Sequence, residues 1–133
     1  MVITPGQRHE STQVAAVLDD IRVSRPGERG RPRKRPAHLI ADKGYSYPAC
    51  RQLLRQRGIP HTIPERCDQR ERRAKRPGQP LRFNAAAYRR RNVIERCVNK
   101  LKQWRGIATR YEKRAVNYRA MVIIATLMLW LTQ

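Results

Sequence analysis

Acidic residues are scarce in this 133-residue chain. It has 10 Asp and Glu against 30 Lys and Arg, which gives a formal net charge of +20 and a sequence pI near 11.5. So few acids cannot neutralise the basic side chains through internal ion pairs. The composition therefore favours a polyanionic partner, with nucleic acid ahead of an anionic membrane or of a simple arginine bias in the genome.

Paired cysteines and long apolar runs are also missing. Cys50, Cys67 and Cys97 are odd in number and widely spaced, so we expect reduced thiols in the cytoplasm and no zinc or disulfide site. The start of the chain shows no secretion signal. The longest uncharged run, 120–133, is shorter than the about 20 residues of a bilayer span. It is predicted to be a buried helix, and no membrane partner is expected.

Two segments rich in Arg, Pro and Gly, at about 24–36 and 65–80, are predicted to be solvated basic loops. The run 29–32 in the first loop equals the core of the AT-hook, whose arginines enter the minor groove of A·T tracts. Both an AT-hook and a generic phosphate-contacting loop stay open. The residues expected to contact DNA phosphates are Arg31, Arg33, Lys34 and Arg35.

The middle of the chain has the pattern of a strand, a helix and a second strand. The apolar runs 37–41 and 59–63 are predicted to be short strands, and the helix between them begins near Pro48 and stops at Gly58. Two strands joined in this way are typical of a parallel pair. Asp42 follows the first strand, and α/β domains place their chemistry at the carboxyl ends of such strands.

Helical periodicity marks three further segments, 11–22, 84–105 and 113–131. Apolar residues of 84–105 form a stripe that is predicted to anchor this long helix in a core. The last segment is apolar on most sides and is therefore predicted to be buried.

Beside the apolar stripe, the helix 84–105 has a polar face. At 100° per residue, an arc of about 60° contains four of its side chains: Tyr88, Arg91, Glu95 and Lys102. Taken alone, Glu95 is also compatible with an exposed acid that makes local pairs with Arg91 and Asn99.

The same four residues follow the spacing Y-(2)-R-(3)-E-(6)-K. In this the chain resembles bacterial insertion-sequence transposases of the DDE type. Four other blocks look like the same family, so that the resemblance covers nearly the whole chain: Thr4–Gln7, Ala41–Tyr45, Arg57–Ile59 and Trp104–Lys113. The resemblance implies an α/β chain with an incomplete ribonuclease-H-like fold, in which flanking helices cover a short central sheet.

The resemblance also implies a site in which two Asp and one Glu hold two Mg²⁺ ions. By position, Asp42 corresponds to the second Asp and Glu95 to the Glu, both as catalytic residues and as metal ligands. Tyr88, Arg91 and Lys102 match the remaining signature positions and are expected to contact DNA. Carboxylates suit this chemistry because their hard oxygens bind Mg²⁺, and a metal pair stabilises the attacking and leaving oxygens of a phosphoryl displacement.

The first Asp of that site has no counterpart that we can assign. It is expected on a strand just before Val2–Gly6, whereas the acids upstream of Asp42 fall in predicted helices or loops: Glu10, Asp19, Asp20 and Glu28. We therefore expect 1–133 to be the C-terminal part of a transposase catalytic domain, inactive alone.

The expected partner is duplex DNA, at transposon ends and target, in the cytoplasm at the nucleoid. A second copy of the chain or the product of an upstream reading frame is a further expected partner. The alternative is a non-catalytic DNA-binding or regulatory remnant, in which the acids are surface charges.

Overall fold

Helices alternate with two short strands along the residues that the computed structural model describes, which are 2–4, 9–24, 27, 30–75, 78 and 83–132. The chain divides into an N-terminal unit, Val2–Arg89, and a C-terminal unit, Arg90–Gln133. Both strands lie in the N-terminal unit.

The two strands, β1 (Leu39–Ile40) and β2 (His61–Thr62), form a parallel pair. A main-chain hydrogen bond of 3.2 Å from Ala41 N to Thr62 O extends the pairing beyond β1. This confirms the predicted parallel pair, although each strand is shorter than its apolar run. Pro60, just before β2, has no N–H to donate, which limits the ladder at that end.

The helix between the strands, α2 (Pro48–Gln56), begins and ends as the sequence predicts. Pro48 occupies the first turn, where a missing N–H costs nothing. Gly58 follows the helix with φ +61°, a left-handed conformation that favours glycine, and its N–H donates to Arg55 O at 2.9 Å.

The core of the N-terminal unit joins α2 and the two ends of β2 to α1 (Val14–Asp19). A 3-10 turn, Glu10–Gln13, precedes α1, so that the predicted helix 11–22 is one element of two geometries and ends early. An ion pair of 2.7 Å from Arg57 Nη1 to Asp19 Oδ1 also links α2 to α1. The buried apolar residues of this core are Val14, Leu18, Cys50, Leu54, Ile59 and Ile63.

The prediction of a basic loop at 65–80 is wrong for half of this range, because α3 occupies Cys67–Ala74. This run contains no Gly or Pro and consists mostly of good helix formers, so its charge does not prevent a helix. Glu65, which precedes the helix, and Arg73, in its last turn, form a bidentate ion pair with Nη2–Oε2 at 2.8 Å. Residues 76, 77, 79 and 80 lie outside the described residues.

The predicted continuous helix 84–105 is also wrong. Asn84 caps α4 (Ala85–Arg89) by accepting from Ala87 N at 2.9 Å, as expected of that residue. A second helix, α5 (Asn92–Lys102), begins after a turn at 90–91. The interruption falls at the boundary of the two units, just before an asparagine, a residue type that favours helix starts over helix interiors.

The C-terminal unit consists of α5, α6 (Arg105–Ala108) and α7 (Ala115–Leu131). Gly106 lies inside α6. A Cβ at this position would come within 2.7 Å of Met121 Cε, the end of a flexible side chain on α7, which would have to shift. Tyr118 Oη donates to Ile107 O at 3.2 Å and joins the same two helices.

The apolar side chains of the C-terminal unit are mostly exposed, contrary to expectation. Ala125 is the buried residue of α7, and the predicted anchoring stripe of α5 is exposed at Ile94 and Val98. Within the described part of the chain, no helix is both long and apolar enough to cross a membrane. The exposed apolar side chains of α7 include Val116, Ile123, Ile124, Leu127, Met128, Trp130 and Leu131.

Leu54 is fully buried in the core, and its truncation tests the packing of the N-terminal unit. Leu54→Ala is expected to lower the free energy of unfolding by about 2 to 5 kcal/mol, because it leaves a cavity among α1, α2 and β2. Urea unfolding followed by circular dichroism measures this loss. Leu53→Ala, at a partly buried position of the same helix, is the matched control, and equal losses for the two variants would contradict this description of the core.

Candidate metal ligands and nucleic-acid interface

Asp42 lies just beyond the carboxyl end of β1. Its backbone is extended, and its side chain caps the 3-10 turn Lys43–Tyr45, since Oδ1 accepts a hydrogen bond of 2.8 Å from Gly44 N. The residue is partly buried, so that the carboxylate is fixed to the sheet and still reached by solvent. The structure therefore gives Asp42 a structural role in addition to the one suggested by the sequence.

The main chain at Gly44 lies close to the carboxylate of Asp42. A Cβ at this position would lie 2.9 Å from Asp42 Oδ1, closer than real side chains approach, so the end of the Asp42 side chain would have to shift. A glycine two residues after Asp42 therefore accommodates the capping carboxylate without such a shift.

Tyr45 brings a second acid to the neighbourhood of Asp42. Its hydroxyl donates to Glu10 Oε2 at 3.1 Å. Burial of the ring, then the charge of Glu10, and then that of Asp42 raise the pKa of Tyr45 from 10.0 to about 12. The sequence did not predict Glu10 as a neighbour of Tyr45, because the contact spans 35 positions of the chain and no local pattern encodes it.

Glu95 lies in the first turn of α5. Its Oε1 accepts a hydrogen bond of 2.8 Å from Arg91 Nη1, and its side chain is 53% exposed. This is the local helix pair that the sequence left open as an alternative. Such exposed pairs contribute only about 0.3 to 0.5 kcal/mol, so the pairing leaves the carboxylate available for other ligands.

The four signature residues do not share one helix. Tyr88 lies on α4 in the N-terminal unit, where its ring packs on Phe83 with centroids 5.4 Å apart. Arg91, Glu95 and Lys102 belong to the C-terminal unit, with Lys102 exposed at the end of α5. The prediction that one continuous helix contains all four residues is therefore wrong, because the turn at 90–91 separates α4 from α5.

The first basic loop is closed by a bridge between its two arms. Val23 and Arg33 exchange two main-chain hydrogen bonds of 3.0 and 2.8 Å. Arg29, the first arginine of the AT-hook core, lies outside the described residues. The exposed cations of this loop line a cleft of 520 Å³: Arg31, Arg33, Lys34 and Arg35. Their arrangement is suited to phosphate oxygens.

A larger cleft of 770 Å³ follows β2 and was not predicted. Arg51 of α2 is buried against it, with 8% of its surface exposed. Burial lowers the pKa of its guanidinium, which the nearby Glu65 carboxylate opposes, but arginine remains charged at neutral pH. Arg51 stands one turn before Leu54 on the buried face of α2, and this spacing was the one signal for it in the sequence.

Within the described residues there is no group of three or more His, Cys, Asp or Glu side chains placed to hold a metal ion. Asp42 belongs to the N-terminal unit and Glu95 to the C-terminal unit. The contacts given above for Asp42 and for Glu95 are therefore contacts within their own units.

Comparison with known proteins decides the family. A family model described as the transposase DDE domain matches residues 1–131. The chain belongs to the transposase DDE domain family. No curated protein and no solved structure matches it. Transposase DDE domains serve DNA transposition, so DNA is the substrate that family membership implies.

Two substitutions of Asp42 distinguish the contribution of its capping hydrogen bond from that of its charge. Asp42→Ala is expected to lower the free energy of unfolding by about 1 kcal/mol, because the Gly44 N–H loses its acceptor. Asp42→Asn is expected to leave stability nearly unchanged, since Asn caps as well as Asp. Urea unfolding compares the two variants. An equal loss in both would show that the charge of Asp42, and not its capping bond, stabilises the fold.

Tyr45 makes stability depend on pH in the alkaline range. Because folding raises its pKa to about 12, the neutral phenol stabilises the folded state at all pH values below 10.0, and this contribution is lost as the pH rises toward about 12. The difference in unfolding free energy between the wild type and Tyr45→Phe should therefore shift against the wild type between about pH 10 and about pH 12.

Tyr111→Phe, which removes a phenol that is 67% exposed, is the matched control for the loss of one ionisable group. A pH dependence that is the same in the Tyr45→Phe variant and the wild type would contradict the description of Tyr45.

Proposed function

We propose that the protein is a DNA-binding transposase in which Asp42 and Glu95 are metal-ligating carboxylates for DNA strand cleavage and transfer. The observation that carries the proposal is the position of Asp42 directly after β1, at the carboxyl edge of a parallel pair. Ligand sites of α/β domains lie at this edge. In a chain of the transposase DDE domain family, an acid placed there is the natural candidate for one of the catalytic acids.

The donor chemistry of the two acids fits Mg²⁺. Carboxylate oxygens are the hard ligands that this ion prefers, and a Mg²⁺ pair neutralises charge on a phosphodiester during displacement. Asp42 Oδ1 uses one lone pair for Gly44 N–H, and a carboxylate offers about four acceptor positions. Capping through one lone pair is compatible with metal ligation by the same carboxylate, and the exposed Glu95 can exchange Arg91 for a metal ion.

The basic side chains supply the attraction for DNA. Arg31, Arg33, Lys34 and Arg35 are exposed around one cleft, and few acids elsewhere offset them. We propose that they bind the phosphate backbone without reading sequence, and that Arg91 and Lys102 bind phosphates beside Glu95. Tyr88 is proposed as a DNA contact of the N-terminal unit, next to the exposed Phe83.

A ribonuclease-H-like arrangement is proposed for the catalytic domain. The parallel β1–α2–β2 unit, with α1 packed against α2, is compatible with a sheet that is flanked by helices.

A non-catalytic DNA-binding function is the second candidate, and one observation favours it. Both acids have structural partners, Gly44 N–H for Asp42 and the Arg91 guanidinium for Glu95. In that case the acids stabilise local structure, and DNA binding by the basic clefts is the whole activity.

Metal binding separates the two candidates. The 133-residue chain is titrated with Mn²⁺ as a probe for Mg²⁺, alongside Asp42→Asn and Glu95→Gln. Each variant is expected to weaken Mn²⁺ binding by at least about tenfold, because a ligating oxygen is lost, and to retain DNA binding. Matched controls are Asp68→Asn and Glu71→Gln, exposed acids of α3 that should leave both properties unchanged.

Wild-type affinity for Mn²⁺ in both site variants would show that neither acid is a ligand and would favour the non-catalytic candidate. Mg²⁺-dependent cleavage of duplex DNA, lost in either site variant, would establish the catalytic one.

A further inference from the structure

The arginine cleft along β2 has features of a built anion site. Arg51 is more than nine-tenths buried, and its Nη2 donates to Ile63 O at 2.8 Å and to Pro64 O at 3.4 Å. These two carbonyls follow β2 and fix the guanidinium at the edge of the cleft. Among the hydrogen bonds of the described residues, both that Arg51 makes leave from Nη2, so Nε and Nη1 keep donors for another ligand.

Two more cations converge on the same space. Arg55 lies one turn after Arg51 on α2 and is exposed, and Arg70 lines the cleft from α3. Side chains four residues apart on a helix share a face, so Arg51 and Arg55 form one wall with two charges.

The described residues that line the cleft include little negative charge to balance these arginines. Glu65 is the one carboxylate among the described lining residues, and Arg73 already binds both of its oxygens from Nε and Nη2. A buried cation is costly unless a counter-charge compensates it. The cleft therefore favours an anion from outside the chain.

The neighbouring residues narrow the chemistry of that anion. A planar guanidinium can donate two parallel hydrogen bonds to two oxygens of one phosphate. Three guanidinium groups can surround one such tetrahedral group. Phe83 lines the same cleft and is 47% exposed, which gives an apolar surface beside the cations. A phosphate attached to a sugar and base uses both features, whereas free phosphate uses only the first.

We propose that this cleft binds a backbone phosphate of DNA between Arg51, Arg55 and Arg70, at a subsite distinct from the cleft of the first basic loop. The proposal rests on the proposed DNA-binding function and adds a position on the N-terminal unit at which the strand is held. Arg51 would be the fixed donor, and Arg55 and Arg70 the adjustable ones.

Binding of a labelled oligonucleotide to the full chain in EDTA tests the subsite without any metal ion. The double variant Arg55→Gln/Arg70→Gln is compared with Arg22→Gln/Arg72→Gln, which removes two exposed arginines outside the cleft lining. Both doubles lose the same charge, so long-range attraction falls equally. The first is expected to weaken binding by about tenfold more than the second, because it also loses direct charge-assisted hydrogen bonds.

Competition identifies the group that is bound. Inorganic phosphate should displace the oligonucleotide from the wild type better than chloride at equal ionic strength, and this advantage should disappear in Arg55→Gln/Arg70→Gln. Equal weakening by the two doubles, or no advantage of phosphate over chloride, would overturn the proposal. If phosphate binding is lost in the cleft variant while oligonucleotide affinity is unchanged, the site is one for free phosphate and the DNA assignment is wrong. Metal ligation by Asp42 and Glu95 has no influence in EDTA, so failure of that proposal is a separate result.

Discussion

The pairing of β1 with β2 is the constraint on which two candidate sites of the N-terminal unit depend, the acid Asp42 and the cleft that contains Arg51. Asp42 follows one strand, and the carbonyls of Ile63 and Pro64 that hold Arg51 follow the other. Because the strands are parallel, these two points lie at the same edge of the sheet. α2 packs its apolar face into the core and presents Arg51 and Arg55 to the cleft. A carboxylate and a group of cations are thereby positioned by a single supersecondary unit.

The excess of basic over acidic residues determines which ligands these sites can attract. With three basic residues for every acid, each carboxylate is in demand as a partner, and Asp19, Glu65 and Glu95 all bind arginines. The ion pairs are mostly exposed, so each stabilises the fold little. The cations left over create the attraction for a polyanion, and that attraction is screened by salt over about 10 Å at ordinary ionic strength. The affinity for a polyanion then depends on short-range contacts, such as those made by side chains that line a cleft.

Local signals in the sequence were enough to predict the parallel pair, α2 with its stop at Gly58, and the position of Asp42 after β1. They were not enough for four other features. The helix 67–74 was hidden by a charge density typical of loops, and the interruption at 90–91 by an apolar period that continues across it. The contact of Glu10 with Tyr45 and the burial of Arg51 are tertiary, since each depends on how α1, α2 and β2 pack. The family, by contrast, was recognisable from four short sequence blocks and from the spacing of a signature, because the signature Tyr88, Arg91, Glu95 and Lys102 is independent of whether one helix contains it.

The two acids differ in how firmly the fold orients them, and this bears on their chemistry. Asp42 is oriented by the hydrogen bond that Oδ1 accepts from Gly44 N, just beyond the carboxyl end of β1. Among the described residues, Glu95 is held by an exposed pair with Arg91, one turn away on the surface of α5. Under the proposed function, the direction from which Asp42 would meet a metal ion is therefore set by the sheet, whereas the more exposed side chain of Glu95 could adjust to its ligand.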